Sequence, residues 1–102
     1  MRKIFVCSPL RGNIKSNQKK TREYCKEVVK QGFLPIAPHI YFTQFLDELK
    51  IEERNHGIKC GIDLLEMCKE IWVYGDTISE GMQKEIDYAK KRGIIIKWKQ
   101  TK

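Results

Sequence analysis

The chain has 102 residues, 41% hydrophobic and 32% charged, enough apolar material for one core and too little length for two. Twenty lysines and arginines against thirteen acids leave a formal charge of +7, which favours an anionic partner such as a nucleotide, a nucleic acid or a phosphorylated metabolite. No run approaches the roughly 18 apolar residues that span a bilayer, and the opening apolar stretch Ile4-Phe5-Val6-Cys7 is too short for a signal peptide, so the expectation is a cytoplasmic protein with no membrane partner.

Lys3 to Cys7 reads as a short buried strand, ended by Ser8-Pro9. A loop from Leu10 to Asn17 follows, then a helix from Gln18 to Gln31 with Thr21, Cys25, Val28 and Val29 on one face, stopped by Gly32. Phe33 to Ala37 is a second strand closed by Pro38. From His39 to Ile51 the spacing of Phe42, Phe45, Leu46 and Leu49 fits a short helix or a flap. Glu52 to Cys68 is a helix with Ile58, Ile62, Leu65 and Cys68 inward. Glu70 to Tyr74 is the third strand, Glu80 to Arg92 the last helix before Gly93, and Ile94 to Trp98 the final strand.

Strands alternating with helices mean a parallel sheet of four, possibly five, strands covered on both faces: an α/β, doubly wound, flavodoxin- or Rossmann-like fold. Right-handed crossovers with strand order 2-1-3-4 put a topological switch point between the first and third strands, where ligands collect. Two loops therefore define the expected site, Ser8 to Asn13 and Gly75 to Gly81.

The first loop holds Ser8, Arg11, Gly12 and Asn13. Gly12 permits close backbone approach, and Arg11 offers a planar fork for phosphate or carboxylate, or simply an exposed side chain in an ordinary turn. The second holds Gly75, Asp76, Ser79, Gly81 and Met82. Ser79 suits an N-cap, Asp76 a turn, and Gly81 costs about 1 kcal/mol in a first turn unless a ligand needs the space over the helix N-terminus. No GxGxxG or P-loop pattern is present.

Glu85 stands apart. Gly81, Met82, Tyr88 and Ala89 surround it at helical spacing and none is cationic, whereas Glu80 precedes Lys84 by four and Asp87 has Lys90 and Lys91. A carboxylate on the apolar stripe is either at a site or in a distant ion pair. Asp63 has Lys59 four residues before it and reads as a surface pair. Tyr41 is open to base stacking or core packing; Trp72 favours core. Cys7, Cys25, Cys60 and Cys68 form no CxxC, and His39 and His56 form no metal-binding spacing, so reduced thiols, no metal and no cofactor are expected. Further cations crowd the C-terminus at Lys90, Lys91, Arg92, Lys97, Lys99 and Lys102.

Over nearly its whole length the chain resembles the nucleoside 2-deoxyribosyltransferase-like superfamily, and within it a small phage and bacterial branch. The resemblance rests on Phe5-Val6-Cys7-Ser8-Pro9-Leu10-Arg11-Gly12-Asn13, Pro35-Ile36-Ala37-Pro38-His39, Arg54-Asn55-His56-Gly57, Trp72-Val73-Tyr74-Gly75, and Ser79-Glu80-Gly81-Met82-Gln83-Lys84-Glu85-Ile86. It implies one domain over residues 1–102, with Glu85 as the nucleophile that attacks the anomeric carbon and forms a glycosyl ester. It further implies Asp63 on sugar hydroxyls or the leaving base, and Arg11, Ser79 and the amides near Gly81 and Met82 at phosphate. Ser8, Gly12, Asn13, His39, Tyr41, Gly75 and Asp76 complete the expected substrate set. Ser79, six positions before the nucleophile, resembles nucleoside 5′-monophosphate N-glycosidases more than base-exchanging transferases. Lys69 departs from the pattern, standing where an aspartate is usual.

The expected partner is thus a small nucleotide or nucleoside, cleaved at the base–sugar bond. A non-catalytic nucleotide-binding module and a base-exchanging 2-deoxyribosyltransferase are the alternatives. A nucleic-acid binder ranks behind them for want of a recognised module. An exposed sheet edge in so small a domain implies a homo-oligomer.

Overall fold

Alternation along the strands builds two cores at once. In β1 (Lys3–Cys7), Ile4 and Val6 face one side of the sheet and Phe5 and Cys7 the other, all four buried. The computed structural model, which describes residues 1–99, places β1 between β2 (Leu34–Ile36) and β3 (Glu70–Val73), with β4 (Ile95–Trp98) beyond β3. All pairings are parallel, in the order β2-β1-β3-β4. Lys102 lies outside the described residues.

One face packs Ile4, Val6, Trp72 and Tyr74 against Val28 of α1 (Ile14–Lys30). The other packs Phe5, Cys7, Ile71 and Val73 against Leu65 of α3 (Ile51–Glu66) and against Met82, Ile86 and Ala89 of α4 (Glu80–Arg92). No helix among the described residues is long and apolar enough to cross a membrane.

Several expected boundaries move for identifiable reasons. Helix α1 begins at Ile14, not Gln18, because the Asn13 side chain accepts the Ser16 N–H at 3.1 Å and caps it. Val29 is exposed rather than on the inner face. The segment after β2 is a single turn, α2 (Pro38–Tyr41), followed by a 3₁₀ turn over Phe42–Gln44. There Tyr41, Phe42 and Phe45 meet edge-on and pack on one another, while Leu49 and Ile51 are exposed.

The end of the sheet opposite the strand C-termini is locked by a buried acid. Glu70 accepts from Trp72 Nε1 at 2.8 Å, from Arg2 at 2.8 Å and pairs with Lys97 at 3.2 Å. Burial pushes its carboxyl up, but these three donors together outweigh burial and hold it below the ordinary value. The stability this contributes is present above the unfolded-state value and lost as pH falls through the lowered one. Glu70→Ala strands the Trp72 indole N–H and is expected to lower the unfolding free energy by about 2 kcal/mol in urea titrations.

Candidate functional site

The C-terminal ends of β1 and β3 release the two loops that sequence reasoning selected, and these loops touch. A Cβ on Gly75 would sit 3.0 Å from Pro9 Cδ, and Gly75 has φ +102°, so both the contact and the backbone require glycine. The first loop is braced from α1: Asn17 Nδ2 donates to the carbonyls of Leu10 at 3.0 Å and Arg11 at 3.2 Å. Ser8 is buried and its hydroxyl meets Thr21 Oγ1 at 2.9 Å; since Thr21 donates to the Asn17 carbonyl, Ser8 is the donor.

Between these loops, α2 and α3 lies a cavity of about 400 Å³, within the range that takes small-molecule ligands. It is lined by Arg11, Gly12, Ser79, Glu80, Gly81 and Met82 from the first loop and the start of α4, by Phe42, Thr43, Glu48, Arg54 and Gly57, and by Pro38, His39, Gly61 and Glu85. Ser79 caps α4 by accepting the Met82 N–H at 3.2 Å. A Cβ on Gly81 would meet nothing within 4 Å, so the helix N-terminus opens freely onto the cavity.

Glu85 projects from α4 to the floor. Its Oε1 is fully enclosed and has no hydrogen-bond partner among the described residues. Burial pushes the carboxyl up to about 8, and the Cys7 thiol beside it, a weak S–H donor, offsets this only in part. Cys7 in turn is driven well above its usual range by burial and by the facing carboxylate. The cavity floor therefore holds a carboxyl with one enclosed oxygen that no donor among the described residues meets, the arrangement expected of a group awaiting a ligand.

His39 is held by a hydrogen bond of 2.9 Å between its Nε2 and the Ser8 carbonyl, which places the proton on Nε2; burial lowers its pKa and keeps the ring neutral.

The expected residues divide. Glu85, Arg11, Gly12, His39, Ser79, Gly81 and Met82 share the cavity. Gly75 and Asp76 instead line an adjoining polar depression with Lys19, Lys20 and Tyr24, and Arg11 lines both. Asn13 is consumed as a helix cap, the Ser8 side chain as a brace, and Tyr41 stands outward against Phe42 and Phe45. Asp63 is exposed on the outer face of α3, away from the cavity. The α3 residue beside the floor is Gly61, whose Cβ would lie 3.9 Å from Glu85 Oε2 and 3.8 Å from Pro38 Cγ.

Arg54, Glu48 and the Gly57/Gly61 pair line the cavity as well, beyond the expected site residues. Two glycines four apart interrupting the inner face of α3 were the available signal, since such spacing clears a strip of helix surface. Gly61→Ala makes only ordinary contacts and is expected to stabilise the fold by up to about 1 kcal/mol, whereas Gly61→Leu fills the floor and abolishes any nucleotide-induced rise in melting temperature. Parallel melts with and without nucleotide check both.

The model of one family, described as "Domain of unknown function (DUF7768)", matches residues 2–99. No curated protein matches the sequence. Among solved structures, the chain superposes on a 2-deoxyribosyltransferase from Bacillus psychrosaccharolyticus with a TM-score of 0.76 and 15% identity, over 96% of this chain and 72% of that one. It also superposes on a 2-desoxiribosyltransferase from Leishmania mexicana with a TM-score of 0.67 and 15% identity, over 100% of this chain and 66% of that one. It thus spans about two thirds to three quarters of their lengths, and at this identity the likeness shows the fold.

Proposed function

The chain belongs to the DUF7768 family, and we propose that it is an N-glycosidase that releases the base from a nucleoside or deoxynucleoside 5′-monophosphate through an ester on Glu85. The observation that carries this is the enclosed Glu85 Oε1, without a hydrogen-bond partner among the described residues, in a cavity that the first turn of α4 and Arg11 also line. The phosphate is received by Arg11, the Ser79 hydroxyl and the amides near Gly81, which sets the anomeric carbon over Glu85. The Glu85 carboxylate oxygen bonds to C1′. The C1′–N bond breaks with its electron pair on the base, which takes a proton from water. The hydroxide this leaves attacks the ester, releasing the sugar phosphate and restoring the Glu85 carboxylate. Transfer to a second base in place of water would make the same site a base-exchanging transferase, the activity named for the solved structures of similar fold.

A homo-oligomer belongs to this reading, supported by Tyr41, Phe45, Leu49 and Ile51, exposed close to the cavity lining residues Phe42, Thr43 and Glu48.

One observation favours a second reading, a nucleotide-binding module without turnover. Gly61 occupies the α3 position facing Glu85 and Asp63 is exposed, so among the described residues no second carboxyl stands at the floor to protonate the leaving base. Chromatography of free base from a panel of nucleoside 5′-monophosphates separates the two. Release by the native protein and none by Glu85→Gln supports the glycosidase. Equal release from both overturns it. Silence from both, with melting temperature raised by nucleotide, selects the binding module.

A further inference from the structure

We propose that Arg54 of α3 is a second arginine on the substrate's phosphate, acting together with Arg11, and that it sets a preference for nucleotide over free nucleoside. This rests on the nucleotide reading above and names the residue that selects for the charge. Its placement follows from how α3 and α4 lie together. Gly61 faces Glu85, and farther along α3 Glu66 accepts from the Tyr88 hydroxyl and pairs with Arg92 at 3.4 Å. Both helices therefore advance in the same direction, side by side. Arg54 lies seven residues before Gly61, about 10 Å along the axis, and the cap Ser79 lies six before Glu85, about 9 Å the same way. Arg54 thus stands level with the N-terminus of α4.

It also shares a face with the floor. Arg54, Gly57, Ile58 and Gly61 recur at helical spacing and all line the cavity. Side chains on a helix tilt toward its N-terminus, so the guanidinium is carried beyond the first amides of α4, where an anion docked on that end would sit. Arg54 is half-buried, and its guanidinium has no hydrogen bond or ion pair among the described residues; Glu48 lines the same cavity without pairing to it. Burial lowers the pKa of His39 and keeps it neutral, so Arg11 and Arg54 are the cations lining the cavity among the described residues. Charge balance explains why one arginine is too few. A phosphate monoester carries about −1.5 to −2 at neutral pH, while one guanidinium and a helix N-terminus of about +0.5 fall short of it. Ionised Glu85 in the same cavity adds a further negative charge, and a second guanidinium offsets the deficit.

The test compares the native chain with Arg54→Ala and Arg54→Lys. The probes are nucleoside 5′-monophosphates, the matching nucleosides, and inorganic phosphate as a competitor of the nucleotide. The readout is kcat/KM for base release or, without turnover, the dissociation constant from calorimetry, beside the inhibition constant of inorganic phosphate. Arg54→Ala is expected to weaken nucleotides by roughly 10- to 100-fold, the loss of one charged hydrogen-bonding partner. It should weaken inorganic phosphate in the same direction and leave the nucleosides near their native values. Arg54→Lys, which keeps the charge and loses the fork, should recover part of both losses. Circular dichroism of each variant confirms the fold. Where nucleosides fall below detection, the phosphate competition decides alone. A nucleotide preference that survives Arg54→Ala overturns the inference. So does equal weakening of nucleotide and nucleoside, or weaker nucleotide with phosphate inhibition unchanged, since either moves Arg54 to the sugar or base. All three leave the proposed function standing. Neither cleavage nor binding of any nucleotide overturns both.

Discussion

Glutamine at position 85 is expected to lower base release by about 10⁴-fold or more, the scale of loss seen when a covalent nucleophile is removed, while nucleotide still raises the melting temperature. The amide keeps the size and shape of the carboxyl, so the cavity and its phosphate end are preserved, but it cannot form the ester to C1′. Under the proposed mechanism the native protein carries a second signature. Only ionised Glu85 attacks, and burial pushes its pKa up to about 8. In the free enzyme kcat/KM should therefore climb close to tenfold per pH unit below that value and level off above it. A profile flat from pH 5 to 9, or base release by Glu85→Gln within tenfold of native, would remove Glu85 from the chemistry.

Why Glu85 was legible in the sequence and its surroundings were not follows from what a helix pattern encodes. Its inward direction could be read because Met82, Ile86 and Ala89 define the buried face of α4, and all three are buried. The sheet order was legible for a similar reason: short apolar strands punctuated by Gly32 and Gly93 leave few right-handed arrangements. Asp63 is visible in the sequence yet lies outside the cavity lining, whereas the cleared space at Gly61 leaves no such mark. The aspartate stands two positions after Gly61, about 200° around the helix, which turns its carboxylate to solvent while the glycine faces the floor. Asn13 and Ser8 carry the polar groups a ligand would want, yet unsatisfied backbone and a buried hydroxyl took them first. Residues 39–51 resisted reading because their aromatic side chains pack on one another, so no periodicity toward the sheet survives.

The second large effect is on stability, and its sign runs against intuition: Glu85→Gln should make the protein more stable, increasingly so as pH rises. In the unfolded chain this carboxyl ionises near 4.5, in the folded one near 8. Between those values the folded state binds more protons than the unfolded state, so unfolding free energy falls with pH. Stability fully present below about 4.5 is lost as pH rises through about 8, amounting to about 5 kcal/mol at the alkaline plateau, from 3.5 pH units at 1.36 kcal/mol each. Neutral glutamine escapes this penalty. His39 tilts the other way below its unfolded value near 6.5, because burial lowers its folded pKa and acid then favours the unfolded chain. Subtracting variant from native at each pH cancels His39 and Glu70, which both proteins share, and isolates Glu85. Urea titrations at pH 5, 7 and 9 should show a gap that widens at each step. A gap that is constant, or reversed, would mean that Glu85 ionises in the folded protein as it does in water, and the cavity floor would lose the desolvated carboxyl on which the glycosidase reading depends.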